Sequence, residues 1–252
     1  MNRKIIATAA VVASLWMPVQ ADTLLGLYVG AQAWRSDVSG GFGNSSAVTD
    51  FDFEQETNSS LYVALEHPVP LLPNIKIRRE TLNSSGATTL DTDFTFAGQT
   101  YPQGSALAMG GDIDSTDYVL YYEIFDNDLI SFDLGLNARD LDGRIDVSVA
   151  SDSNAMSSQA FSGIIPLLYT RVQVGTPVGG LGFAAQGSFL AIDDSSLYDY
   201  QAALTYRWLD NLAVDMTFEL GYRALRLELD DVDNLYTDME FKGPFAGVEV
   251  HF

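Results

Sequence analysis

Cysteine is absent from the 252 residues, histidine occurs only twice, and thirteen Lys and Arg face thirty-four Asp and Glu. The missing cysteines exclude a disulfide framework, a thiolate nucleophile and thiolate metal ligation. The shortage of bases excludes a nucleic-acid partner, because such binding rests on Lys and Arg neutralising phosphates. Beyond the first twenty-one residues there is no long apolar run either, whereas a membrane-crossing helix needs roughly 20. Scarce histidine weakens the case for an enzyme, since imidazole is the side chain that exchanges a proton near neutral pH. His67 lies in a Pro-rich turn and His251 is the penultimate residue. Nothing in the chain asks for a cofactor.

The first segment present is Met1-Asn2-Arg3-Lys4, then an apolar run from Ile5 to Met17, then Val19-Gln20-Ala21. A basic start, a short apolar centre and a small-x-Ala end predict a secretory signal peptide cleaved after Ala21. Residues 22–252 then form one domain of barrel size.

What dominates that domain is period-two alternation, the mark of strands with one apolar face. It predicts strands over about 24–35, 58–66, 74–82, 113–125, 130–139, 160–174, 181–192 and 198–208. A ninth carries Val214, Phe218, Leu220 and Tyr222 on one face, and a tenth ends the chain at Phe252. The fifth is the clearest: Phe132, Leu134 and Leu136 alternate with Asp133, Asn137 and Arg139 across Gly135 and Ala138. The facing of the seventh, rich in Gly and Ala, is ambiguous. In the eighth, Tyr198, Tyr200, Leu204, Tyr206 and Trp208 share a face. Ten steps of ~3.3 Å at a tilt near 40° climb roughly 25 Å, the height of the apolar band between aromatic girdles in a membrane barrel.

The expected fold is therefore all-β, a transmembrane up-and-down antiparallel β-barrel of ten strands, with eight or twelve as alternatives. Twelve would follow if the alternating segment 90–97 joined the wall. Otherwise that segment is a hairpin extending past the membrane. Phe132, Leu134, Leu136, Leu204, Val214, Phe218, Leu220, Val248 and Val250 should face lipid. Tyr118, Tyr122, Tyr198, Tyr200, Tyr206, Trp208 and Tyr222 should form the girdles. The connections 36–57, 83–112, 143–159 and 226–236 are expected to be outer loops or excursions, with short turns at the other end.

Three groups of residues are candidates for function. Glu66, Lys76, Arg78, Glu80, Asp117, Glu123, Asp133, Arg139, Arg171, Asp199, Arg207, Asp215, Glu219, Arg223 and Glu249 should point into the lumen. Such interleaved charges form either a plug of paired side chains or a polar pathway. A wall of ten strands lies far below the 16–18 that leave an aqueous channel, which favours the plug. Acids crowd the outer connections, which describes a solvated surface. Asp140 and Asp142, and Asp230, Asp231 and Asp233, offer oxygen donors suited to calcium, but lack the spacing and terminal Glu of a calcium loop. The third candidate, a hydrolase site, finds both histidines at the rim opposite the outer connections.

The run Asp117 to Asn127, followed by Ser131 to Asn137 and Leu141-Asp142-Gly143, resembles an uncharacterised family of Gram-negative outer-membrane β-barrel proteins. Its members occur in bacteria with the GlyGly C-terminal sorting system. The turn from Pro68 to Asn74, Pro166-Leu167-Leu168-Tyr169 and the Phe252 ending fit the same pattern. The resemblance implies a barrel and an outer-membrane address, but no activity and no functional residue. Val248, Val250 and Phe252 also resemble the terminal strand that the barrel-assembly machinery recognises. Outer-membrane lipids and lipopolysaccharide are the partners so implied, and a monomer is the expected state.

Overall fold

Every strand pairs with its neighbour in the chain, and the last returns to pair with the first. A computed structural model describes residues 25–127, 129–177, 179–192, 195–211 and 214–252. The expected signal peptide lies outside them. The wall strands are β1 (Gly26–Gly43), β2 (Glu56–Glu66), β3 (Asn74–Thr89), β4 (Ala106–Asp126) and β5 (Ile130–Val149), then β6 (Asp152–Gly175), β7 (Leu181–Ile192), β8 (Ser195–Asp210), β9 (Asp215–Val232) and β10 (Leu235–His251). Neighbouring pairs are all antiparallel, and β1 pairs with β10 from Tyr28 opposite His251 to Gly43 opposite Tyr236. Phe252 completes the seam: its N–H donates to the Leu27 carbonyl at 2.9 Å, and its own carbonyl accepts from the Leu27 N–H at 3.4 Å. A ten-stranded closed barrel is the fold expected, with no strand edge left open.

The barrel is taller than the alternation pattern suggested. β5 and β6 run through residues 143–159, read from sequence as a loop, and turn only at 150–151. β9 and β10 likewise absorb most of 226–236, turning at Asp233-Asn234, where Asp231, Asp233 and Asn234 all take left-handed backbone angles. Polar Asx residues tolerate that region best. Only the β1–β2 and β3–β4 connections are long at this end, here called the far end. Val214, expected on a lipid-facing strand, instead sits in the turn before β9, its N–H bonded to the Asn211 side chain at 3.1 Å.

The segment at 90–105 joins no wall strand. Phe94–Phe96 and Gln99–Tyr101 form a two-stranded hairpin of their own, tightened by positive φ at Ala97 and Gly98. Two adjacent left-handed residues give the twist that a two-residue hairpin needs. The hairpin folds inward over the far mouth, and Leu90, Phe94, Phe96 and Tyr101 are buried. So the extra wall strands fail and the separate hairpin holds, but it turns inward over the mouth instead of standing clear of it. Four greasy side chains in one short excursion would be poorly placed in water.

Candidate functional site: a lumen closed in layers

The lower half of the barrel, toward the termini, carries its grease outside. Leu134, Leu136, Leu204, Phe218 and Leu220 are exposed on the outer face, as are all seven expected girdle aromatics. Phe132, Val248 and Val250 point the same way but are half-buried by neighbours. The structure also settles β7, where Leu181, Phe183 and Phe189 face outward and Ser188 inward.

Inside this half, strand register stacks charge on charge. Arg78 of β3, Asp117 of β4 and Arg139 of β5 occupy one rung. Arg139 grips Asp117 with two bonds of 2.6 and 2.8 Å and reaches Asp199 at 2.7 Å. Across the lumen, Arg223 binds both Asp199 oxygens at 2.8 Å and the Glu80 carboxylate. Arg78 returns to Glu80 at 2.7 Å, closing the set. Three arginines thus balance three carboxylates, all buried. Desolvated charges are tolerable only when they are paired in this way. The Trp34 ring covers Arg223, 4.4 Å from its guanidinium carbon. Its indole N–H donates to the Gly243 carbonyl at 3.2 Å. Gly243 lets β10 lie close against β1 here, since a Cβ there would lie 2.0 Å from the Arg35 carbonyl oxygen.

A second polar layer lies nearer the termini. Arg171 meets Glu249 at 3.1 Å, and the Tyr62 hydroxyl donates to the same carboxylate. Gln32 donates to Glu219 at 3.2 Å, and Lys76 to Gln186 at 2.9 Å. Gly30 leaves room for the Tyr62 ring, which an added Cβ would meet at 2.2 Å. Below this layer the lumen widens into a vestibule of about 310 Å³ open toward the near end, lined by Tyr28, Arg207, Asp215, Thr217, Glu249 and His251 among others. Arg207 and Asp215 therefore belong to the vestibule rather than to a plug, and Arg207 pairs with exposed Asp210 at 3.2 Å. Glu66 accepts from Tyr121 at 2.8 Å, while Glu123 is exposed at the rim and Asp133 lies buried opposite it.

The upper half inverts the pattern. Apolar residues move to the inner face: Ile113 and Met109 of β4, Leu141, Ile145 and Val147 of β5, Leu225, Leu227 and Leu229 of β9, Phe241 and Met239 of β10. Together with the inturned hairpin they make one continuous core. Phe42 stacks on Phe51 at 4.9 Å and meets Phe96 edge-on at 5.1 Å. The Tyr101 hydroxyl bonds the Val147 carbonyl and Ser157 at 3.1 and 2.7 Å, and Asn44 holds the hairpin turn through the Ala97 N–H. The expectation of a lumen filled with charge thus holds for the lower half alone. This core was missed from sequence because its strands were read as loops. The signal was there in Leu225-x-Leu227-x-Leu229, continuing β9 on the opposite face from Phe218 and Leu220.

Outside the core the wall turns polar, with Asp112, Asp140 and Asp142 exposed beside Arg144. Arg226 pairs with Asp238 at 3.1 Å there. Asp140 and Asp142 sit on this outer face, while Asp230, Asp231 and Asp233 cap the β9–β10 turn, Asp233 accepting the Ser162 N–H at 3.1 Å. Among the described residues no three such side chains converge on a point where a metal could sit. His67 is tied into its turn at the Pro73 carbonyl, and His251 stacks on Tyr28 with ring centroids 4.2 Å apart.

An apolar belt outside and a closed hydrogen-bonded wall define the chain as a closed ten-stranded antiparallel β-barrel. No known family profile and no curated protein matches it. Among solved structures, the transport unit of the autotransporter AIDA-I from Escherichia coli aligns over 98% of this chain and 96% of its own, at 8% identity and a TM-score of 0.43. The outer membrane protease OmpT from Escherichia coli aligns over 89% and 97%, at 10% identity and a TM-score of 0.47. The Pseudomonas putida toluene transporter TodX aligns over 92% and 90%, at 7% identity and a TM-score of 0.31. Likeness this distant assigns no role, and the fold rests on the strand pairing itself.

Proposed function

We propose that the chain is a monomeric integral outer-membrane barrel whose role is structural or surface-interacting rather than catalytic, with a lumen sealed against solutes. The observation that carries this reading is the double closure: a charge-paired arginine–carboxylate rung and, above it, an apolar core capped by the inturned hairpin. The termini end faces the periplasm in this reading, the belt sits in the bilayer, and the polar far end stands outside. The acidic collar above the girdle then lies level with lipopolysaccharide headgroups, where divalent cations can bridge carboxylates to phosphates. Val248, Val250 and Phe252, at the seam with β1, serve as the signal for the barrel-assembly machinery. The family resemblance drawn from sequence implies the same address.

The test is planar-bilayer recording on the full barrel. Silence is expected from the unmodified protein. Discrete conductance steps, altered by neutralising Arg139 or Asp133, would favour a narrow channel instead. The vestibule is the observation on that side, since it opens the near end of the lumen up to the lower polar layer.

A further inference from the structure

A small void between the charged rung and the lower polar layer stands apart from the seal in what surrounds it. Its volume is about 20 Å³, room for roughly one water-sized particle. Tyr62, Lys76, Arg78, Arg171, Gln201 and Glu219 are among its lining, so three of its four charged groups are cations. Two of these are spoken for, Arg78 by Glu80 at 2.7 Å and Arg171 by Glu249 at 3.1 Å. Lys76 is not. It is 4% exposed, and among the described residues no carboxylate lies within 4.0 Å of its ammonium. Its contacts are the Gln186 side-chain oxygen at 2.9 Å and the face of the Tyr62 ring at 4.2 Å. Of the three donors on an ammonium, a single one has a named acceptor.

Other polar atoms around the void are equally unmet. Arg78 Nε and Gln201 Oε1 are both buried without a hydrogen-bond partner. Arg78 Nε can only donate. The Gln201 amide, turned end for end, would present its NH2 group instead, since the two orientations are set by surroundings and not by shape. Glu219 is the carboxylate on the lining, and it accepts from Gln32 at 3.2 Å. Buried donors without acceptors and a buried ammonium with no carboxylate in contact are both costly. One guest relieves both: a small group that accepts from several directions and carries negative charge. Water satisfies donors but puts no negative charge in contact with the ammonium. An oxyanion as large as phosphate exceeds the space.

We propose that this cavity binds a single halide-sized monovalent anion, with Lys76 as principal ligand and Arg78 Nε and the Gln201 amide as supporting donors. The inference goes beyond the role proposed above and stands whether or not the barrel conducts. Two measurements on the full chain in detergent test it. The first is anomalous diffraction from crystals grown in bromide, where a peak within contact distance of Lys76 Nζ is expected. Density that fits water alone, with no anomalous signal, overturns the proposal. The second is thermal unfolding in sodium bromide against sodium gluconate at equal ionic strength. The unmodified barrel should show a saturable rise of about 2–4 °C in bromide, the shift that ~1 kcal/mol of binding gives a chain this long. Lys76→Met should abolish the difference between the two salts. A bromide effect that persists in Lys76→Met, or none in the unmodified protein, overturns it. The diffraction result decides the matter should that variant fail to fold.

Discussion

The two halves of this barrel are built from the same strands with opposite dress. Below the rung of Asp117 and Arg139 the outer face is apolar and the inner face charged. Above it the inner face is apolar and the outer face charged. On β9 the change falls between Tyr222, exposed outward, and Leu225, buried inward. On β4 it falls between Tyr118 and Ile113. The backbone does not break at these points, since β9 pairs with β10 without a shift from Asp215 to Leu229. What changes is the solvent. Lipid rewards grease outside a wall, and water rewards it inside. The height at which a strand exchanges its faces therefore marks where bilayer gives way to water, and the girdle tyrosines Tyr198, Tyr200 and Tyr222 stand beside that boundary.

This contrast can be broken most forcefully at the rung. Arg223→Met leaves Asp199 short of one partner and Glu80 held by Arg78 alone. It should cost about 3–5 kcal/mol, the usual penalty for stranding buried charge, read from the urea midpoint of unfolding in liposomes. A cost below ~1 kcal/mol would mean the lower lumen is wet rather than sealed. Next in size is Leu220→Arg, which puts a charge on the outer face of the belt. It should cost about 2–4 kcal/mol near the bilayer midplane. Arginine at Thr116, on the outer face just above the belt, should cost under ~1 kcal/mol. Equal costs at the two sites would show that no lipid boundary runs between them.

Leu227→Ala, in the upper core, should lose about 2–5 kcal/mol by leaving a cavity, whereas Leu204→Ala on the outer face should lose about 1–2 kcal/mol, because lipid fills the space. The order of these two costs, from the same unfolding assay, tests which side of the wall is packed. The hairpin offers a functional version of the comparison. Excising residues 92–103 should expose the apolar core to a hydrophobic dye yet leave the bilayer electrically quiet, since the rung beneath still closes the lumen. Conductance in that variant would show the hairpin to be the sole seal. The smallest effect is expected at Asp142→Asn on the outer collar, within ~0.5 kcal/mol, since that side chain faces water.

The lower half was legible from the chain because its code is simple. Phe132 to Leu136 and Tyr198 to Trp208 alternate without interruption, so facing, girdles and the inward charges of β3, β4, β5 and β8 all follow from period two. The upper half was not, because reading a strand as lipid-facing grease makes an exchange of faces look like its end. Residues 143–159 and 226–236 read as loops on that ground, and alternation cannot place the hairpin because it does not say what a segment packs against. Charge pairing was equally beyond reach. Lys76, Arg78, Glu80 and Arg223 were recognisable as inward, but which of them meet depends on register and on contacts across the lumen between residues as far apart as Glu80 and Arg223.

Sequence alone determined the class of wall and the residues on its greasy belt, since side-chain parity along a strand is a local property that the pleat imposes. Tertiary structure alone decided that ten strands rather than eight or twelve close the wall, that the barrel continues as a water-facing cylinder with a core inside, that a hairpin closes its mouth, and that among the described residues no carboxylate touches Lys76. Those outcomes arise from closure of the sheet, which sets strands distant in the chain face to face across a space too narrow for any side chain to avoid the others.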